Sequence, residues 1–173
     1  WFIRRIQKFL IKNDKKLIGW DEILEGGLDH DATVMVWRNK KFAVESLKQG
    51  HEIIMCPTSH CYFDYYQADP KFEPESIGGF TTLEKVYSFN PIPKNLTADE
   101  ENLILGGQAN LWTEYVKTNT RAQYQVLPRM TALSEVLWSP SKLQDYSDFY
   151  KRLINLQKRF KKLDWTYASS EIV

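Results

Sequence analysis

Lys16-Leu17-Ile18-Gly19-Trp20 is a short, largely apolar run that closes on Asp21-Glu22, and Thr33-Val34-Met35-Val36-Trp37 repeats the pattern, closing on Arg38. Runs this short and this apolar read as strands buried on both faces, since a half-buried strand would alternate. Two more follow. Glu52–Cys56 stops at Pro57, and Ile104–Ala109 carries Gly106-Gly107 in its middle, where backbones can approach closely.

The intervening segments have helical spacing. Phe2, Ile6, Phe9 and Leu10 form an apolar stripe that Asn13-Asp14-Lys15 breaks. Phe42, Ala43 and Leu47 mark a helix that Gly50 can end. Thr97 with Glu100 predicts a capping box. Helix is expected from Thr120 to Leu137, where Pro128 either kinks it or starts a new turn, and Ser139-Pro140 ends it. Phe149, Leu153, Leu156, Phe160 and Leu163 predict a last amphipathic helix. Residues Thr58 to Thr81 hold no long periodic segment.

Strand, loop and helix therefore recur, which implies an α/β fold with a parallel sheet covered by helices. A doubly wound sheet and a piece of a (β/α)8 barrel both satisfy the pattern. No dinucleotide glycine fingerprint follows the first strand and no phosphate-loop lysine is present. Polar residues gather at the C-terminal ends of the strands, where either fold places a site.

Composition narrows the function. A chain of 173 residues with 43% hydrophobic and 26% charged residues is globular and long enough to bury a core. A net charge of +1 offers no general field for nucleic acid, so no nucleic-acid partner is expected. The one basic cluster, Lys158-Arg159 with Lys161-Lys162, reads as a solvated helical face. No membrane span or signal peptide is visible, and a chain that opens on Trp1 and not on Met reads as an excerpt. Cys56 and Cys61, the only cysteines, either join across a short loop or remain two buried thiols. His30, His51 and His60 are too scattered for a zinc pattern, and Cys56, His60 and Cys61 lack a fourth ligand, so no metal or other cofactor is expected.

The aromatic fraction, 14% with 6 Trp and 9 Tyr, is high, and several of these rings sit beside carboxylates. Most aromatics in any chain are core. A ring beside a carboxylate at a strand end is also what a saccharide needs, because CH-rich sugar faces stack on rings while hydroxyls need fixed acceptors. Four such clusters follow predicted strands: Trp20-Asp21-Glu22, Trp37-Arg38, Tyr62-Phe63-Asp64 and Trp112-Thr113-Glu114. If the backbone stays extended, alternation puts Tyr62 with Asp64, and Trp112 with Glu114, on common sides. Read from the residues alone, Asp64 and Glu114 are candidates for a glycosidase acid and base, or either one pairs with a nearby arginine or caps a helix. Glu22 and Glu25 share a turn and read as solvated or held by neighbours, and Arg38 as a buried arginine tying loops together.

These same segments resemble glycoside hydrolase family 20. Lys16–Gly27 resembles its fifth-strand segment, Val34-Met35-Val36-Trp37-Arg38 the sixth, Ile54–Gln67 the seventh and Gly106–Glu114 the eighth. The helix with Arg129-Met130 through Glu135 and Trp138-Ser139-Pro140 fits as well. The resemblance implies that residues 1–173 are a partial catalytic domain, strands five to eight of a (β/α)8 TIM barrel without its N-terminal half. It implies a β-N-acetylhexosaminidase, in which the substrate's own 2-acetamido oxygen attacks the anomeric carbon, an exception to the two-carboxylate scheme. By the same resemblance Tyr62 matches the catalytic tyrosine that hydrogen-bonds that oxygen. Asp64 and Glu114 match carboxylates that receive sugar hydroxyls around O4 and O6, which reassigns them from acid and base to substrate binding. Trp112 matches the ring beneath the sugar, and Trp20 and Trp37 match walls of the acetamido pocket.

Two departures matter. The family's general acid, a Glu after an Asp at the fourth strand, has no match here, so the chain alone is expected to be inactive; Asp21-Glu22 belongs to the fifth-strand motif. Asn39-Lys40-Lys41 stands where relatives commonly have glycine. The alternative function is a non-catalytic glycan-binding module on the same scaffold. The substrate class is an oligosaccharide ending in N-acetylhexosamine, a homodimer is possible because a half-barrel has open edges, and the compartment is periplasmic or extracellular, or lysosomal in a eukaryote.

Overall fold

The computed structural model describes residues 1–169. In chain order its elements are α1 (Phe2–Lys12), β1 (Ile18–Trp20), a 3-10 turn (Asp21–Gly26), β2 (Thr33–Val36), α2 (Lys40–Lys48), β3 (Ile53–Met55) and α3 (Thr58–Cys61). There follow α4 (Leu83–Tyr87), α5 (Ala98–Asn102), β4 (Ile104–Gly107), α6 (Asn119–Val126), α7 (Arg129–Trp138), a second 3-10 turn (Ser141–Leu143) and α8 (Tyr146–Lys162). They divide into two compact units, Trp1–Thr58 with Pro91–Gln108, and Ser59–Asn90 with Ala109–Val173.

The first unit holds the sheet. Its four strands lie in the order β1-β2-β3-β4 and every pair is parallel. Val34 and Val36 on β2, and Ile53 and Met55 on β3, are fully buried, each pair on one face of its strand, whereas Met35 and Ile54 between them are half-buried, so the expected burial is complete on one face only. α2 packs on β2 and β3 through Ala43 and Leu47. Its cap explains Asn39: the side chain accepts from the Lys41 amide at 2.9 Å, satisfying a donor that helix geometry leaves unpaired. Gly50 lies just beyond its end at φ 78°. The capping box of α5 forms in both directions between Thr97 and Glu100. Parallel strands carrying flanking helices in this order are a partial (β/α) barrel, the barrel alternative of the two.

Two details of this unit go beyond the sequence reading. The α1 stripe is not core: Phe2 and Phe9 are 65% and 63% exposed, and the residue α1 buries is Gln7. Gln7 exchanges hydrogen bonds with the Asp29 backbone in both directions, so a polar clamp takes the helix's inner position. In β4 Gly106 serves conformation and not close approach. A bulge shifts the register with β3, so that Ile54 pairs with Gly106 after Ile53 pairs with Ile104, and Gly106 takes φ 135° with open space beside it.

In the second unit, α4 packs against α7 through Leu83, Val86, Ala132, Leu133 and Val136. The expected long helix is two: α6 stops at Val126, a cis Leu127–Pro128 bond follows, and α7 starts at Arg129. α8 buries Phe149, Leu153 and Phe160 as predicted, while Leu163 is exposed. Its basic residues Lys158, Arg159, Lys161 and Lys162 are exposed, a solvated face near the C-terminal end of the dipole. No helix among the described residues is long and apolar enough to cross a membrane.

Candidate functional site

In the first unit the polar ends of β1 and β2 are joined through Asp21. This fully buried carboxylate accepts from the Trp37 amide at 3.1 Å and the Arg38 amide at 3.2 Å, and pairs with Arg38 Nε. Glu22, next along the 3-10 turn, accepts the Trp37 indole N–H at 3.1 and 3.2 Å. Arg38 also lies 3.8 Å over the Phe42 ring and reaches Glu25 at 3.4 Å. Asp21, Glu22 and Arg38 are therefore ties that hold the half-buried Trp37, as the loop-tying reading of Arg38 requires, although Arg38 is half-buried and not the buried arginine expected. Trp20 is half-buried too.

The second unit brings together the other four predicted residues. Asn110 forms a parallel bridge with Tyr62, with the Phe63 amide donating to Asn110 O at 2.8 Å and the Asn110 amide to Cys61 O at 2.7 Å. That bridge sets Tyr62–Asp64 beside Asn110–Trp112, and the Trp112 amide donates to the Asp64 carboxylate. The assumption of extended backbone fails at Phe63 and Asp64, which form a turn. Tyr62, Phe63 and Asp64 are all buried, and the Trp112 ring is 44% exposed. Glu114 is exposed and near enough that its charge acts on Asp64.

The electrostatics single out Asp64. Burial, reinforced by the Glu114 charge, raises its carboxyl above the ordinary value against the pull of its own amide, Arg129 and the Trp112 amide. Its Oδ1 is buried and has no hydrogen-bond partner. A buried acceptor left unpaired is costly, and Asp64 is the one carboxylate among the described residues with such an atom.

Beside it, the Tyr65 and Tyr62 rings lie 5.6 Å apart at 50°. Gly79, at φ 67°, is what lets Tyr65 lie there, since a Cβ at that position would fall 2.3 Å from the ring. Burial and the Asp64 charge push the Tyr65 hydroxyl up. The turn itself hangs from α6 and α7. Arg129, fully buried, donates to Phe63 O, Tyr65 O and Thr81 O, and its guanidinium lies 4.8 Å over the Phe63 ring. Burial lowers the guanidinium to about 9, against the charges of Glu73 and Asp64, which leaves it protonated at neutral pH. Gln67 and Tyr124 hold Glu73, and Arg121 holds the carbonyls of Pro74 and Glu75. Sequence reasoning missed this scaffold. Its one visible signal is a lone arginine opening the apolar stretch Arg129-Met130-Thr131-Ala132-Leu133.

Cys56 and Cys61 are two buried thiols and not a disulfide, the second of the two readings. His60 bonds Ser59 Oγ at 2.7 Å. Among the described residues no group of three His, Cys, Asp or Glu is placed to hold a metal ion.

With this geometry in hand, comparison with known proteins is decisive. The family described as glycosyl hydrolase family 20, catalytic domain, matches residues 1–141. The chain belongs to glycoside hydrolase family 20. A β-hexosaminidase of Porphyromonas gingivalis is 49% identical over 156 residues, 90% of this family 20 chain but 20% of that protein. A Vibrio furnissii β-hexosaminidase is 31% identical over 138 residues, 76% of the chain and 22% of that protein. Among solved structures, the family 20 exo-β-N-acetylglucosaminidase of Vibrio harveyi in complex with N-acetylglucosamine superposes with a TM-score of 0.87 at 26% identity, over 97% of this chain and 27% of that one. The chain thus spans about a quarter or less of the length of these relatives.

Proposed function

We propose that this chain supplies the acetamido-orienting and hydroxyl-binding part of a β-N-acetylhexosaminidase site. The longer protein would release terminal, non-reducing β-linked GlcNAc or GalNAc from glycans by substrate-assisted, retaining hydrolysis. The observation that carries the reading is Asp64, a buried carboxylate with one unpaired oxygen that is hydrogen-bonded by the amide of the part-exposed Trp112 and acted on by the charge of Glu114. That is an acceptor awaiting a hydroxyl, in a chain whose relatives are β-hexosaminidases.

In this reading the Tyr62 hydroxyl donates to the acetamido carbonyl oxygen and holds it against the anomeric carbon, so orientation is set before reaction. The same bond strengthens as charge shifts through the acetamido group toward an oxazolinium-like intermediate. Asp64 and Glu114 accept hydroxyls around O4 and O6, Trp112 stacks beneath the ring, and Trp20 and Trp37 serve the acetamido group. The carboxylic acid that protonates the leaving oxygen has no match in these 173 residues, and the reading assigns it to the longer protein.

The test is Tyr62→Phe in the full-length protein, assayed on a chromogenic N-acetyl-β-glucosaminide. Loss of a bond that strengthens in the transition state lowers kcat by about 10²–10³ with little change in KM. An unchanged kcat sinks the assignment of Tyr62. The 173-residue chain alone should give no turnover, and measurable turnover would overturn the assignment of the acid to residues outside it.

A further inference from the structure

The half-buried Tyr65 ring touches two things that matter to the site. Its centroid lies 5.6 Å from that of Tyr62 at an interplanar angle of 50°, a favourable tilted pair. The backbone of Gly79 lies against the same ring: a Cβ there would meet Tyr65 Cγ and Cε2 at 2.5 Å, and Cδ2 closer still. Gly79 takes φ 67°, which a glycine adopts without strain. Neither backbone is free to yield. Arg129 Nη1 donates to Tyr65 O at 3.1 Å and to Thr81 O at 2.9 Å, so one nitrogen ties the residue that carries the ring to the loop that lies against it. That loop is fastened again to the next residue. The Thr81 amide donates to Tyr66 O at 2.8 Å, Tyr66 bridges Phe80, and the Ser76 amide donates to the Tyr66 hydroxyl at 3.2 Å.

The bridge between Tyr62 and Asn110 fixes the Tyr62 backbone, but a backbone bridge does not set a side-chain torsion. The hydroxyl is the side-chain atom farthest from Cα, so a small rotation about the Cα–Cβ bond displaces it most. A second ring packed against Tyr62 limits that rotation. Close-packed interiors transmit displacement, so whatever moves the Tyr65 ring also moves the Tyr62 hydroxyl. With both backbones tied, a side chain at position 79 could be accommodated only by moving the Tyr65 ring.

We propose that Tyr65, seated against Gly79, is a positioning residue that holds the Tyr62 ring and so fixes where the Tyr62 hydroxyl lies. It acts on the reaction through Tyr62 and not on the sugar. The proposal rests on the reading of Tyr62 as the residue that orients the acetamido group. The contacts are made by the Tyr65 ring, so a phenylalanine should serve in its place, whereas a side chain without a ring should not.

The experiment measures kcat and KM of the full-length protein on a chromogenic N-acetyl-β-glucosaminide. The variants are Tyr65→Ala, Tyr65→Phe, Gly79→Ala, the double variant Tyr65→Ala with Gly79→Ala, and each single change combined with Tyr62→Phe. Misplacing the Tyr62 hydroxyl by up to 1 Å should lower kcat by about 10–100-fold in Tyr65→Ala and in Gly79→Ala, with KM little changed. Tyr65→Phe should recover most of the kcat that Tyr65→Ala loses. Gly79→Ala should cost no further kcat once Tyr65→Ala has removed the ring it would displace, and neither change should cost much in the Tyr62→Phe background. Tyr65→Ala decides the matter alone if Gly79→Ala does not fold. A Tyr65→Phe loss as large as that of Tyr65→Ala, a rise in KM at constant kcat, or losses that persist undiminished with Tyr62→Phe would each overturn the proposal. If Tyr62→Phe alone leaves kcat intact, the acetamido-orienting reading has failed first and this proposal goes with it.

Discussion

Burial and the charge of Glu114 both disfavour the ionised form of Asp64, and that has a consequence for stability. Its folded pKa is raised, so the folded state binds the proton more tightly than the unfolded chain does. Stability associated with this group is fully present below the ordinary carboxylate range and is lost as pH rises through the folded value. Asp64→Asn in the full-length protein should therefore melt higher than the native protein at pH 7, by a few degrees, with the difference closing as pH falls below the carboxylate range. The same variant should bind sugar more weakly, a trade of stability against function. A melting temperature at pH 7 equal to or below the native one contradicts this account. Asp21 makes the contrast: equally buried, it has two backbone donors and an arginine, and so reads as structure.

At the scale of elements, α7 and α8 are tied by a carboxylate with three polar contacts. Arg152 grips Glu135 at 2.7 and 2.8 Å, and Tyr87 donates to Glu135 at 2.8 Å. The Arg152 hydrogen bonds hold Glu135 below its ordinary value, and the Tyr87 hydroxyl, buried and bonded to that carboxylate, is pushed up to about 12. A depressed carboxyl contributes stability above its unfolded pKa that is lost as pH falls through the folded one. Glu135→Gln should lower the melting temperature at pH 7 and flatten its fall between pH 5 and the acid limit; an acid limb as steep as the native one would refute the tie. The periodicity behind α8 was legible because its partners lie along one stripe. The split between α6 and α7 was legible only as a choice at Pro128. The α1 stripe misled, because an apolar spacing shows that a face exists and not that anything covers it.

At the scale of the whole chain, β1 and β4 each pair on one side only among the described residues, and Ile18 and Leu105 on them are 53% and 56% exposed. Unpaired strand edges beside exposed apolar side chains favour association. The 173-residue chain produced by itself should sediment as a species larger than a monomer, increasingly so as its concentration rises through the micromolar range. A monomer throughout that range would show that the edges are protected in solution.

The sequence by itself determined the parallel sheet and the family, because these depend on local runs and on motifs read in order, and through the family resemblance it nominated six candidate sugar-site residues. It also assigned Asp21-Glu22 to the fifth-strand motif by resemblance. Only the tertiary structure decided which carboxylates are satisfied and which is left open. Arg129 reaches Phe63, Tyr65 and Thr81 across 48 to 66 residues of chain, and Gln125 reaches Asp64 across 61. No local pattern encodes such pairings. Whether a buried polar group has a partner is a property of the packed state, and here it distinguishes Asp64, with its open oxygen, from Asp21, whose carboxylate is fully engaged.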